Sequence, residues 1–386
     1  MAPSELAHLG DATSLVIERI VAPVQAMHGV ITDRVFKYVG TPGRPVKVVH
    51  DAMVGGVYQA IRRTAGAIGT GAGAVMAGRT PGGSVSESRT GSSIQAALNA
   101  LWGDRLDADE SSLAVSLSVR DGDRAVPVDR ASLAAAFPAA TPHIVVLLHG
   151  LGQTERCWQT SPVDASIHDV LANRTGATCL PIRYNSGLPV ARSGVELADI
   201  LEKVCAGWPV GVARISLVGY SMGGLVARAA YTAGVAGGHC WIARLQDLTT
   251  VGAPHQGSPI ARGVRLGSWA LGLAKTSRPL ADLLETASAG IKDLREGAGI
   301  DRAFEHTQSA SPDRSQVRQH FVAAVVTGDV RHPVGLLLGD LVVRVASATG
   351  SATAAENVRV LPRRRHFDIL SDPDVVRQIA EWLAGD

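Results

Sequence analysis

The segment Gly219-Tyr220-Ser221-Met222-Gly223-Gly224 constrains this chain more than any other. It joins an apolar run, ISLVGY (215–220), to a helical run that opens MGGLVARAA. A G-x-S-x-G between a strand and a helix predicts a sharp turn with the serine held in a strained backbone conformation. Side chains at 219 and 223 would collide with the neighbouring strand and helix, which accounts for the glycines. The turn exposes the Ser221 hydroxyl, and the helix N-terminus favours negative charge beside it. Ser221 is therefore the candidate nucleophile.

The surrounding texture suits such a turn. IVVLLHG (144–150) is a short, continuous apolar run, as expected of a strand buried on both faces. CLPIRY (179–184), LQDLTTV (245–251), FVAAVVTG (321–328) and NVRVLP (357–362) are further strand candidates, and LAVSLSVRDGD (113–123) alternates before a turn signal. Helical stretches around 190–206, 222–233 and 373–384 lie between or after them. This order predicts an α/β fold with a mostly parallel sheet flanked by helices. Residues 258–320 lack a clear buried strand and carry helical segments such as ARGVRLGSWALGLAK and LADLLETA, so they read as a helical cap or lid insertion.

The first ninety residues differ. Apolar side chains recur at helical spacing from Val16 to Val35 and again from Val46 to Ile61, broken by TPGRP (41–45). Residues 79–93, RTPGGSVSESRTGSS, have linker composition, and Ser92 with Gln95 reads as a capping box for the helix that follows. The expected organisation is an N-terminal helical region and linker over 1–90, then an α/β domain over 91–386. The N-terminal stripes either pack on the main body or form an amphipathic surface for a membrane, a polymer granule or a partner. Arg62, Arg63 and Arg79 would suit an anionic surface.

Composition narrows the classes. With 37 Lys and Arg against 35 Asp and Glu, the net charge of +2 does not advertise a nucleic-acid partner. A hydrophobic fraction of 46% excludes disorder of the whole chain. Cys157, Cys179, Cys205 and Cys240 form no CxxC pair and read as scattered reduced thiols. The N-terminus lacks a basic region followed by an apolar run, and no apolar stretch reaches the roughly 18 residues of a membrane span. The cytoplasm is the default expectation.

A serine hydroxyl needs a base, and the base needs an orienting carboxylate. Where a serine lies on a strand-to-helix turn of this kind, acid and then histidine follow it in the chain. His366 lies between NVRVLP and the last helix, where that histidine belongs; His255, His306, His320 and His332 compete. Asp329 and Asp340 both fall in the right interval, and position alone leaves the choice open. Asp368 reads as structural. The oxyanion of a tetrahedral intermediate needs donors. The expected ones are the backbone N–H of Met222 and that of Leu151 in His149-Gly150-Leu151-Gly152.

Taken together, IVVLLHGLG, GYSMGG, TVGAPHQGSP, GDLVVRVASATG and HFDILSDPDVVRQIAEWL resemble, in order, the α/β-hydrolase superfamily, specifically bacterial lipases and esterases. The resemblance spans about residues 110–386. TVGAPHQGSP is similar to a lipase segment also seen in the inositol-deacylase group, which implies that it shapes the pocket and that His255 is structural. The family's acid appears in a segment like G-D-G-x-V-P before an S-A dipeptide, which favours Asp340, with Leu341 and Arg344 as departures from the glycine and the proline. Calcium-site segments are not evident, so no metal and no cofactor is expected.

The resemblance implies a serine hydrolase acting on ester or lipid substrates, with Ser221, His366 and Asp340 as triad and Leu151 and Met222 as oxyanion donors. Trp269, Leu271, Leu273, Leu283 and Leu284 of the cap would suit an acyl chain or pack the cap on the core. Acyltransferases, thioesterases and polyester depolymerases use the same machinery. A non-catalytic lipid- or partner-binding protein is the rival from another class.

Overall fold

The computed structural model describes residues 87–159, 165–257, 288–296, 298–309, 317–340, 342–349 and 357–385. The N-terminal stripes, Leu341, and the 258–287 portion of the expected cap, with its Trp269 and four leucines, lie outside the described residues. Eight strands build one sheet: β1 (Ser118–Asp121), β2 (Arg124–Val126), β3 (His143–Leu148), β4 (Thr178–Arg183), β5 (Arg214–Tyr220), β6 (Leu245–Val251), β7 (Arg318–Ala324) and β8 (Val358–Leu361). Their order is β2-β1-β4-β3-β5-β6-β7-β8. Strands β3 to β8 pair in parallel, while β1 is antiparallel to both β2 and β4.

Ten α-helices are described: α1 (Arg89–Ala108), α2 (Arg130–Ala136), α3 (Ile167–Thr175), α4 (Val190–Gly207), α5 (Met222–Ala236), α6 (Ala289–Glu296), α7 (Ala298–Ser309), α8 (Pro333–Leu338), α9 (Val345–Ala348) and α10 (Pro373–Ala384). The alternation along β3 decides which helices cover which face. Ile144, Val146 and Leu148 pack with Leu197 and Leu201 of α4 and Leu225 and Val226 of α5. Val145 and Leu147 point the other way, onto Ile167 and Leu171 of α3 and Val375, Ile379 and Leu383 of α10. Burial of both faces is what a parallel sheet requires, and it explains why these strands are apolar throughout.

Local signals set the helix ends. The Ser166 side chain accepts from the Asp169 N–H at the start of α3, and Gly176 ends that helix at φ 63°. Asp372 accepts from the Asp374 N–H, Pro373 opens α10 with its ring-fixed φ, and Gly385 closes it at φ 82°.

The strand order creates the crevice in which a site can form. β3 lies mid-sheet, with β4 on one side and β5 on the other. The chain reverses its direction of winding there, so the loops leaving the C-terminal ends of β3 and β5 diverge. Ligands of open α/β sheets bind at such switch points.

Three expectations need correction. The helix after the linker starts at Arg89, so Ser92 and Gln95 lie inside it rather than at its cap. The Gln95 side chain instead donates to the Leu113 carbonyl at 3.2 Å. Of the alternating run 113–123, only Ser118–Asp121 is strand. The backbone of Leu113 and Val115 spends its hydrogen bonds on the Asn99 carboxamide, at 2.8 and 2.9 Å, and so leaves the ladder. The insertion expected over 258–320 gives way to β7 at Arg318.

The described helices between β6 and β7, α6 and α7, are anchored. Leu294 of α6 and Ile300 of α7 pack on the core, and Phe304 is fully buried. Its ring lies 5.1 Å from that of Tyr231 on α5. The Arg228 guanidinium, also from α5, stacks 4.6 Å from the Phe304 ring and 5.4 Å from that of Phe321. Burial pulls the Arg228 pKa down to about 9, against the Glu305 charge.

Candidate active site

β5 runs into α5 through Ser221, which has φ 53° and ψ −121°. A non-glycine residue here carries backbone strain on the order of 1–3 kcal/mol, so the surroundings must hold it. They do so through the Ser221 N–H, which donates to Val251 O of β6 at 2.8 Å, and the Gly224 N–H, which donates to Ser221 O at 3.0 Å. A Cβ at Gly219 would overlap the backbone of Gly223 and Gly224; one at Gly223 would overlap Leu148 O and stand 2.7 Å from His149 O. The elbow thus needs both glycines because helix α5 presses directly on the strands beneath it.

His366 lies in the loop between β8 and α10. Its Nε2 is 3.0 Å from Ser221 Oγ, and its Nδ1 is 2.7 Å from Asp340 Oδ2. Ser221, His366 and Asp340 are all buried, and the serine, at 8% against 3% and 1%, is the most accessible of the three. The other Asp340 oxygen accepts the N–H groups of Val342 and Val343 at 2.9 and 2.7 Å. The His366 N–H donates to Asp340 O at 3.0 Å, and the Tyr220 hydroxyl donates to His366 O at 2.9 Å. Four separate bonds therefore fix the carboxylate and the imidazole against each other.

Asp329 is exposed, and its Oδ1 accepts from the Arg331 N–H. The fold keeps it away from His366 by pairing the Val326 N–H with Gly339 O at 3.0 Å, which turns the chain back so that Asp340 faces the imidazole. His306 and His332 are exposed. His255 is fully buried, with Nε2 3.1 Å from Thr250 Oγ1, and burial followed by the Arg228 charge holds its pKa well below the usual value. The segment around it is tied to α9: the His255 N–H donates to Ser347 O, the Gln256 N–H to Ser347 Oγ, and Ser347 Oγ to Gly257 O. Two segments that resembled lipases on separate grounds thus brace each other.

A second Ser-His-Asp grouping lies at the N-terminal ends of the strands. Ser216 Oγ is 3.0 Å from His143 Nε2 and donates to Asp247 Oδ2 at 3.2 Å. Here the serine, not the histidine, stands in the middle, so the imidazole has no carboxylate to orient it. Asp247 also binds Arg214 at 2.7 Å, Arg318 at 2.9 Å and His320 at 3.2 Å. Burial pushes its carboxyl up, but the bonds to His320 and Arg214 and the Arg214 and Arg318 charges outweigh this and hold it below the usual range. The grouping is a satisfied buried carboxylate.

Leu151 follows β3 beside the elbow. Neither its N–H nor that of Met222 has an acceptor among the described residues. The loop around it is heavily bonded. His149 is fully buried, stacked on Tyr184 at 4.3 Å, and its Nε2 accepts the Tyr184 N–H at 3.2 Å. Its Nδ1 must then carry the proton, which it donates to Gly150 O at 2.8 Å. Burial draws its pKa down to about 4, against the Gly150 bond and the Glu155 charge. The Gly150 N–H donates to Gln153 Oε1 at 3.1 Å and the Gly152 N–H to Ser186 Oγ at 3.0 Å. Gln153 and Ser186 went unnoticed in the sequence. Gln153 adjoins the HGLG segment, but Ser186 follows a different strand and no local signal marks it.

An eight-stranded, mostly parallel sheet with a strained serine elbow after β5 is the frame of the α/β hydrolases. The model of the alpha/beta hydrolase family matches residues 145–379, more than half of the chain, and the protein belongs to that family. A triacylglycerol lipase of Burkholderia plantarii is 32% identical over 140 residues, which cover 34% of this chain and 35% of the relative. The match thus spans about a third of that relative's length. Among solved structures, the mature Bacillus licheniformis lipase BlEst2 aligns with 20% identity and a TM-score of 0.44, over 62% of this chain and 91% of that one. The Pyrococcus furiosus esterase PF2001 aligns with 13% identity and a TM-score of 0.37, over 63% and 82%. No helix among the described residues is long and apolar enough to cross a membrane.

Proposed function

We propose that this chain is a serine hydrolase that cleaves carboxylic esters through an acyl-enzyme. The observation that carries the reading is the unbroken line from Asp340 Oδ2 to His366 Nδ1 (2.7 Å) and from His366 Nε2 to Ser221 Oγ (3.0 Å), with the serine at a strained elbow. Ser221 Oγ attacks the ester carbonyl carbon as His366 Nε2 takes its proton. The carbonyl π pair moves to oxygen, and the N–H groups of Leu151 and Met222 receive that oxyanion. Collapse expels the alkoxide, which takes the proton from His366. Water then repeats the sequence on the acyl-enzyme with His366 as base. Asp340 keeps the Nδ1–H tautomer and stabilises the imidazolium.

The substrate class is an ester of a carboxylic acid, lipid esters included; the name of the Burkholderia plantarii relative, a triacylglycerol lipase, supports the lipid end of that range. The test is hydrolysis of a chain-length series of chromogenic acyl esters, wild type beside Ser221→Ala. Turnover should fall by about four to six orders of magnitude in the variant. A folded Ser221→Ala protein that keeps its turnover removes the proposal. The chain-length profile of the wild type separates esterase from lipase.

A further inference from the structure

We infer that Gln153 and Ser186 are positioning residues that hold the oxyanion loop in its working shape before any substrate arrives. The inference rests on the proposed ester hydrolysis at Ser221. Its basis is where each polar group of the loop goes. The Gly150 carbonyl accepts twice, from His149 Nδ1 at 2.8 Å and from the Gln153 N–H at 3.2 Å. In a trans peptide the following N–H points opposite to the carbonyl, so this double hold on Gly150 O also sets the direction of the Leu151 N–H. The Gln153 carboxamide closes the turn from the other end by accepting the Gly150 N–H at 3.1 Å. The Ser186 hydroxyl takes the Gly152 N–H at 3.0 Å. The flanking glycine amides are thereby occupied, and the Leu151 amide between them is left for a ligand. The loop also lies against the nucleophile: a Cβ at Gly150 would stand 3.2 Å from Ser221 Cβ.

Ser186 is itself immobilised. The Gly290 N–H of α6 donates to Gly187 O at 3.0 Å, and a Cβ at Gly290 would overlap Ser186 O. On the other side the Asn185 carboxamide donates to Gly103 O of α1 at 3.0 Å. The loop after β4 is wedged between α1 and α6, and through the Ser186 hydroxyl it passes that rigidity to the oxyanion loop. Donors fixed in place before reaction stabilise developing charge without reorganisation, so loosening them should weaken transition-state binding while substrate binding is spared.

The test uses the full chain carrying Gln153→Met or Ser186→Ala, with concentrations set by active-site titration with a fluorophosphonate, so that lost folding is not read as lost catalysis. With a soluble short-chain chromogenic ester, kcat should fall by about 10- to 100-fold in each variant while KM changes less than about threefold. The second readout is the Ki of an alkyl trifluoromethyl ketone. Ser221 Oγ adds to its carbonyl carbon, the π pair becomes an oxyanion, and the serine proton passes to His366. That Ki should rise by the same factor as kcat falls. Unchanged kcat and Ki in both variants, or a loss that appears only in KM or thermal stability, overturns the inference. A wild type with no Ser221-dependent turnover would instead overturn the underlying reading of the site.

Discussion

At the scale of single residues, the proposed mechanism turns on which of two aspartates orients His366. Asp340 reaches His366 Nδ1 at 2.7 Å, and its second oxygen is saturated by two backbone N–H groups. Asp340→Asn preserves the shape but offers a donor where an acceptor is needed, which favours the wrong imidazole tautomer. Turnover should drop by about 10⁴-fold, the loss that follows when the orienting aspartate of a serine hydrolase is replaced by asparagine. Asp329→Asn should leave it within about twofold. Steady-state kinetics on both variants checks this, and the reverse ranking would move the acid to Asp329. The two residues are close in sequence and chemically identical. The sequence resemblance favoured Asp340, and the Val326–Gly339 bond shows the turn that brings it to the imidazole.

At the scale of elements, helix α5 is held from both sides. Its glycine face lies on the strands, and its Arg228 and Tyr231 face Phe304 of α7. A cap read from sequence suggests a movable piece, yet α7 is docked by a buried aromatic. Phe304→Ala should cost about 3–5 kcal/mol, since it deletes a fully buried ring and leaves Arg228 without one of its two aromatic neighbours. Urea unfolding measures the change; a loss below about 1 kcal/mol would show that α7 contributes little to the fold. The apolar pattern placed α4 and α10 to within a residue because each buries a single stripe, whereas α5, buried on nearly every side from Met222 to Tyr231, runs three residues past its expected end. The pattern failed at 113–117, where the Asn99 carboxamide takes the hydrogen bonds that a strand would have made. That competitor lies fourteen or more residues upstream, beyond any local window.

At the scale of the whole molecule, buried neutral histidines couple folding to pH. His149 and His143 are each drawn down to about 4, by burial in both cases and by the Arg214 charge at His143, and His255 is displaced the same way. In the unfolded chain these groups take up protons as pH falls through about 6.5, whereas the native protein resists until about 4. The unfolded state therefore binds more protons across that window, and stability must fall as pH is lowered from about 6.5 toward 4. His149 alone represents a loss of about 3 kcal/mol. Below that window Asp247 and Glu155, both held below the usual carboxylate range, continue the decline. Urea midpoints at a series of pH values should decrease steadily on acidification. A flat profile between pH 7 and 5 would mean that these histidines are not buried neutral.

What the sequence by itself determined was the local grammar: strands apolar on both sides, an elbow bracketed by glycines, and a histidine before the last helix. Those features are written in neighbouring residues because backbone geometry, helix capping and hydrophobic period act over a few positions. The tertiary structure alone decided how the loop after β3 is held. His149 depends on a backbone N–H of β4's trailing loop, and Gly152 on a serine 34 residues away. Such bonds depend on β3 pairing with β4 and on α1 and α6 lying against the loop after β4. Polar groups buried by the fold cost free energy unless they find partners, and the fold, not the neighbouring sequence, chooses which partners are within reach.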